Sequence, residues 1–93
     1  MSLLTSEEIS NRIKELSGWA FKENQIGMEF QFKDFSEALW FVNKVGEFAE
    51  EMDHHPDIYL HSWNKVNITV STHDKGGVTE NDFQLAKKIN DLL

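Results

Sequence analysis

The sequence predicts an α+β fold, a four-stranded antiparallel sheet with three helices on one face, in the order α-β-β-α-β-β-α. Three observations point there. Three stretches repeat apolar residues at helical spacing behind recognisable caps. Two pairs of stretches alternate apolar and polar residues, which gives hairpins with one apolar face each. Two such hairpins need helices over that single face and leave the other to water.

The elements follow in order. Thr5-Ser6-Glu7-Glu8 is a capping box: the Thr5 hydroxyl accepts from an orphan N–H while Glu8 reaches back. Leu4 and Ile9 stand where a hydrophobic staple would put them, Ile13 and Leu16 continue the helical spacing, and Gly18 is a natural stop. Trp19 and Phe21 then alternate with Ala20 and Lys22; after a turn at Asn24-Gln25, Met28, Phe30 and Phe32 alternate with Glu29, Gln31 and Lys33. Asp34, with Glu37 three residues on, opens a long helix. Its inward stripe is read as Phe35, Ala38, Leu39, Val42, Val45, Ala49 and Met52. The helix must end near His54, because Pro56 pushes His55 out of the helical region. In the second hairpin, Ile58 and Leu60 flank Tyr59, and Val66, Ile68 and Val70 alternate with Asn67, Thr69 and Ser71. Gly76-Gly77 breaks the chain. Thr79 then caps a last helix with Asp82 in its first turn, Val78 and Phe83 as staple, and Phe83, Ala86, Ile89 and Leu93 inward.

A chain of 93 residues reads as one domain spanning residues 1–93. It buries only about 60–65% of its unfolded surface, and with no cysteine it has neither disulfides nor thiolate metal sites to support a small core. Oligomerisation is the remaining support. The net charge of −7, from 9 Lys+Arg against 16 Asp+Glu, opposes direct binding to nucleic acid. No apolar run is long enough to span a bilayer, and Met1-Ser2-Leu3-Leu4 shows no charged region leading into an apolar one. A cytoplasmic protein is expected.

The chemistry gathers at histidines. If strands near residues 57–62 and 67–72 pair antiparallel around a turn at 63–65, residue 57 lies opposite roughly residue 72. His54-His55-Pro56 at the exit of the long helix then faces His73-Asp74 at the end of the last strand, while His61 points to the other end. Imidazole suits proton transfer near neutral pH. Glu50 or Glu51, one helical turn before the pair, and Asp74 beside His73 are placed to orient these rings.

Glu50-Glu51-Met52-Asp53-His54-His55-Pro56-Asp57, then Trp63-Asn64-Lys65-Val66, then Ser71-Thr72-His73-Asp74, Gly76-Gly77-Val78-Thr79 and Asp82, resemble the pterin-4a-carbinolamine dehydratase pattern. That pattern sets an acidic residue four before His-His-Pro, an aromatic several residues on, and Thr-His-acidic near Gly-Gly. The element order extends the resemblance to nearly the whole chain. It implies removal of water from a 4a-hydroxytetrahydropterin to give the quinonoid dihydropterin, in pterin recycling. His54 and His73 would do the acid–base work and His55 would bind with a share in catalysis. Glu50, Pro56, Trp63, Thr72 and Asp74 would bind or orient the substrate. No metal and no organic cofactor are expected. Many relatives carry an aromatic shortly after the His-His-Pro-acidic run, whereas here Ile58 follows Asp57 and Tyr59 comes one further on; the stretch from Pro56 to Trp63 is also one residue longer than in some, which leaves the pterin side chain open.

Plainer readings exist for each feature. A His pair can simply favour the negative end of a helix. Three imidazoles and Asp74 could ligate zinc, although adjacent residues rarely point at one ion. Trp40, Phe41 and Phe48 fall outside the main stripe and either widen the core face or mark a homodimer or homotetramer interface. Two other functions stay open: a non-catalytic dimerisation cofactor or coactivator, as in mammalian relatives of that family, and a dehydratase of molybdenum-cofactor-related pterins. Intact histidines favour the enzyme.

Overall fold

A computed structural model describes residues 2–93. The elements run α1 (Ser6–Ile13), β1 (Ala20–Lys22), β2 (Gln25–Gln31), α2 (Phe35–Met52), β3 (Asp57–His61), β4 (Lys65–Val70), a single 3-10 turn (His73–Lys75) and α3 (Glu80–Asp91). The α-β-β-α-β-β-α order and the four-stranded antiparallel sheet are those expected from the sequence. The strands lie in the order β1-β2-β4-β3, so the two hairpins join through β2 and β4.

Local chemistry sets the boundaries. Glu8 N–H donates to Thr5 Oγ1 at 3.1 Å and Thr5 N–H donates to Glu8 Oε1 at 2.8 Å, closing the α1 capping box. Asp34 Oδ1 accepts from Glu37 N–H at 2.8 Å and starts α2. The first hairpin turns at Glu23 and Asn24, both at positive φ (54° and 64°), the twist that matches flanking strands. Gln25 already pairs with Lys22, so the turn falls one residue before the expected Asn24-Gln25.

On the inner face of the sheet, Ile26 and Phe30 of β2 and Val66, Ile68 and Val70 of β4 pack under Ala38, Phe41 and Val45 of α2 and Leu85, Ala86 and Ile89 of α3. Here the reading of α2 needs correction. Phe41, expected outside the stripe, is completely buried, its ring 4.8 Å from those of both Phe30 and Phe32. Phe35 and Leu39, assigned inward, are exposed together with Trp40. Phe48 is half-buried against the core. Apolar residues cover so much of this helix that two stripes satisfy the same period, and periodicity cannot say which faces the sheet.

The β3–β4 register is also tighter than expected, with Asp57 opposite Thr69 and His61 opposite Lys65. Ser62 and Trp63 take positive φ (50° and 55°), which closes the turn over residues 62–64. Asn64 secures that turn to the end of β2: its side chain donates to the Phe32 carbonyl at 2.9 Å and its own carbonyl accepts from Phe32 N–H at 2.8 Å.

Candidate active site

The site begins where α2 stops. Asp53 adopts the left-handed conformation (φ 50°) and its N–H caps the carbonyls of Ala49 and Glu50. His54 N–H also returns to the Ala49 carbonyl, at 3.0 Å. Pro56 then commits the chain to β3. Between cap and proline the two histidines diverge. His54 turns inward, its side chain 11% exposed, and its Nε2 lies 2.6 Å from Oδ1 of Asp82. His55 turns outward, and its Nε2 lies 2.6 Å from Oε2 of Glu50, both side chains largely in water.

Asp82 is fully buried. A carboxylate inside a protein is tolerated only with partners at its oxygens, and this one has three polar partners. Besides His54, its Oδ2 accepts from Thr79 N–H at 2.8 Å and from the Thr72 hydroxyl at 2.9 Å. The Thr72 and Thr79 hydroxyls are themselves 2.8 Å apart. One carboxylate therefore ties together the exit of α2, the end of β4 and the start of α3. Arg12 of α1 braces the same end of α3 through a two-pronged contact with Glu80 at 2.7 and 2.6 Å. That hydrogen bond holds the Glu80 carboxyl below its ordinary range.

Thr72 leads directly into the 3-10 turn that carries His73. The turn is pinned by Thr72 N–H to the Gly77 carbonyl at 2.7 Å and by Lys75 N–H to the Thr72 carbonyl at 3.0 Å, with Gly76 in the left-handed conformation (φ 73°). His73 and Asp74 are exposed on it. So the fold brings the His54-His55 pair, Glu50, Pro56 and the His73 turn to one end of the sheet.

Other expected residues land differently. Among the described residues, no hydrogen bond joins Asp74 to His73. Thr72 faces inward, with its hydroxyl committed to Asp82 and Thr79. Trp63 sits, 61% exposed, at the far tip of the β3–β4 hairpin. Five residues of strand put it about 16 Å from the histidine end. Among the described residues, no three His, Asp or Glu side chains form a group able to hold a metal ion. A groove of about 630 Å³ bordered by Phe32, Lys33, Trp40 and Leu93 lies at the opposite end of α2 and holds no imidazole. The gathered histidines, and not that groove, mark the candidate site.

The sequence profile of the family described as pterin 4 alpha carbinolamine dehydratase matches residues 2–92. The chain belongs to this family. A relative from Sulfolobus acidocaldarius, named provisionally as a pterin-4-alpha-carbinolamine dehydratase, is 47% identical over 96% of this chain and 97% of its own. One from Nostoc punctiforme, named the same way, is 49% identical over 97% and 96%. Among solved structures, a transcriptional coactivator/pterin dehydratase from Brucella melitensis superposes with a TM-score of 0.93 at 36% identity, covering 98% of each chain. A pterin dehydratase-like protein described as a RuBisCO assembly factor in the alpha-carboxysome shares the fold alone, at a TM-score of 0.64 and 21% identity.

For this dehydratase family member, sequence reasoning missed the involvement of Asp82 with His54. The signal was present: Asp82 lies at helical spacing with Ala86 and Ile89, both fully buried. A carboxylate on the inward face of a helix announces a buried partner.

Proposed function

We propose that the protein removes water from a 4a-hydroxytetrahydropterin, using its own histidines as acid and base. The observation that carries this is the buried His54–Asp82 contact set beside the turn that presents His73. In the elimination a base takes the proton from the ring nitrogen next to C4a. The N–H electron pair becomes the C=N bond, the C4a–O bond breaks, and an acid protonates the departing oxygen so that it leaves as water. His54 and His73 are the acid–base pair and His55, steered by Glu50, binds the substrate. A pterin with the biopterin side chain is the substrate we favour.

The Brucella melitensis protein, described as both a transcriptional coactivator and a pterin dehydratase, raises the coactivator reading. A binding module has no use for an imidazole held on a buried carboxylate, which favours the enzyme. We also propose a homodimer or homotetramer, supported by the exposed Phe35, Leu39 and Trp40 on α2 of so small a chain.

The test is dehydration of chemically generated 4a-hydroxytetrahydropterin by the purified protein. Turnover without added metal is expected, with His54→Ala and His73→Ala each slower by about 10²–10⁴-fold. Undiminished turnover in both variants would refute the assignment.

A further inference from the structure

We infer that Asp82 is a positioning residue for His54, fixing its imidazole as the Nε2–H tautomer and leaving Nδ1 as the atom that exchanges a proton with substrate. This deepens the function proposed above and rests on it.

The hydrogen-bond directions follow from donor count. Oδ2 of Asp82 accepts from Thr79 N–H and from the Thr72 hydroxyl. With the Thr72 proton used there, the Thr72–Thr79 hydroxyl contact must run from Thr79 to Thr72 Oγ1. Oδ1 is left facing His54 Nε2 at 2.6 Å. A carboxylate has only lone pairs to offer, so Nε2 carries the hydrogen. In a neutral imidazole the other nitrogen then holds the lone pair.

Burial separates this pair from its neighbour. Water competes freely for His55 and Glu50, whose side chains are 58% and 78% exposed. The His54 and Asp82 side chains are 11% and 0% exposed, so their contact is stronger and the ring has one orientation. Helix capping alone does not account for Asp82. The box on α1 caps with an exposed Glu8, and only Oδ2 of Asp82 serves the α3 cap, whereas Oδ1 serves His54.

The consequence is chemical. Nδ1 of His54 takes the proton from the pterin ring nitrogen, and the imidazolium so formed stays paired with Asp82. A protonated His73 supplies the proton that leaves with the hydroxyl as water, and proton exchange with solvent resets both rings. Thr72 adjoins His73, so the carboxylate that orients the base also anchors the turn bearing the acid.

The test combines a spectrum with kinetics. In ¹⁵N-histidine protein at a pH where imidazoles are neutral, long-range ¹H–¹⁵N correlations should show His54 Nε2 as the protonated nitrogen. In Asp82→Asn the single amide oxygen is claimed by Thr79 N–H and Thr72, the amide nitrogen faces Nε2, and the pattern inverts. kcat should fall about 10²–10⁴-fold, the size of a wrong-tautomer effect, with KM changed only a few-fold. Added to His54→Ala, the same substitution should cost nothing further in rate. A wild-type spectrum with hydrogen on Nδ1 overturns the inference, and so does an inverted tautomer with unchanged kcat. If Asp82→Asn does not fold, the wild-type spectrum decides alone. That spectrum is read without substrate, so an inactive wild-type protein would refute the proposed function while the tautomer is judged on its own signal.

Discussion

Replacing Thr72 by valine probes the buried network from its side away from the histidine. The two side chains have nearly the same shape, so no cavity opens and the perturbation is the hydroxyl alone. That hydroxyl is almost fully buried and donates to the Asp82 carboxylate at 2.9 Å. A hydrogen bond to a charged group contributes about 1.5–3 kcal/mol, and here no water can replace it. For a domain of this length each kcal/mol moves the midpoint by about 4–8 °C, so Thr72→Val should lower Tm by about 6–24 °C. Thr72→Ser keeps the donor and should recover most of the loss. Chemical denaturation followed by far-UV circular dichroism gives the free energy directly. The His54 tautomer should persist in Thr72→Val, because Oδ1 is untouched. A valine variant within about 0.5 kcal/mol of wild type, the usual scatter of a surface change, would show that Thr72 does not support the carboxylate.

Light scattering at micromolar concentration should give a dimer or tetramer mass, and Leu39→Glu with Trp40→Glu should reduce it; a wild-type monomer, or a double variant that stays assembled, would remove α2 from the interface. Phe41→Glu is no probe of assembly, since that ring lies in the core. On the outer sheet face, the hydrogen bond from His61 is the main cause holding the Glu29 carboxyl below its ordinary range. A lowered folded-state pKa means the pairing stabilises the fold above the unfolded-state value and is lost as pH falls through the folded one. His61→Ala should therefore raise the Glu29 titration seen by carboxyl ¹³C NMR, and an unmoved curve would rule the contact out.

How much of this was legible differs by element. The helix starts were, because Thr5, Asp34 and Thr79 each satisfy orphan N–H groups through side chains two or three residues away, a wholly local interaction. Alternation along β2 and β4 was legible for the same reason. The rotation of α2 was not. Phe35 and Leu39 satisfy the period as well as Phe41 does, and the choice falls to Phe30 and Phe32, which accept the Phe41 ring between them. The β3–β4 register was missed by three residues because the left-handed Ser62-Trp63 pair allows a tighter turn than its composition suggests.

The site divides along the same line. The placement of His54, His55 and Pro56 at the exit of α2 was legible because a proline and a helix end constrain their neighbours through the backbone. Glu50 was legible because its partner is one turn away. Asp82 was read as a cap and its second oxygen went unread, since its partner lies 28 residues distant on another element. Capping and positioning make the same demand on the chain: a carboxylate at the third position of α3. The first demand is visible locally and conceals the second. What distinguishes them is burial, for an N-terminal helix carboxylate needs no shelter from water, whereas one that must hold an imidazole in a single tautomer does. The inward stripe of α3, in which Asp82 stands with Ala86 and Ile89, is thus both a packing surface and the reason the His54 proton has only one place to be.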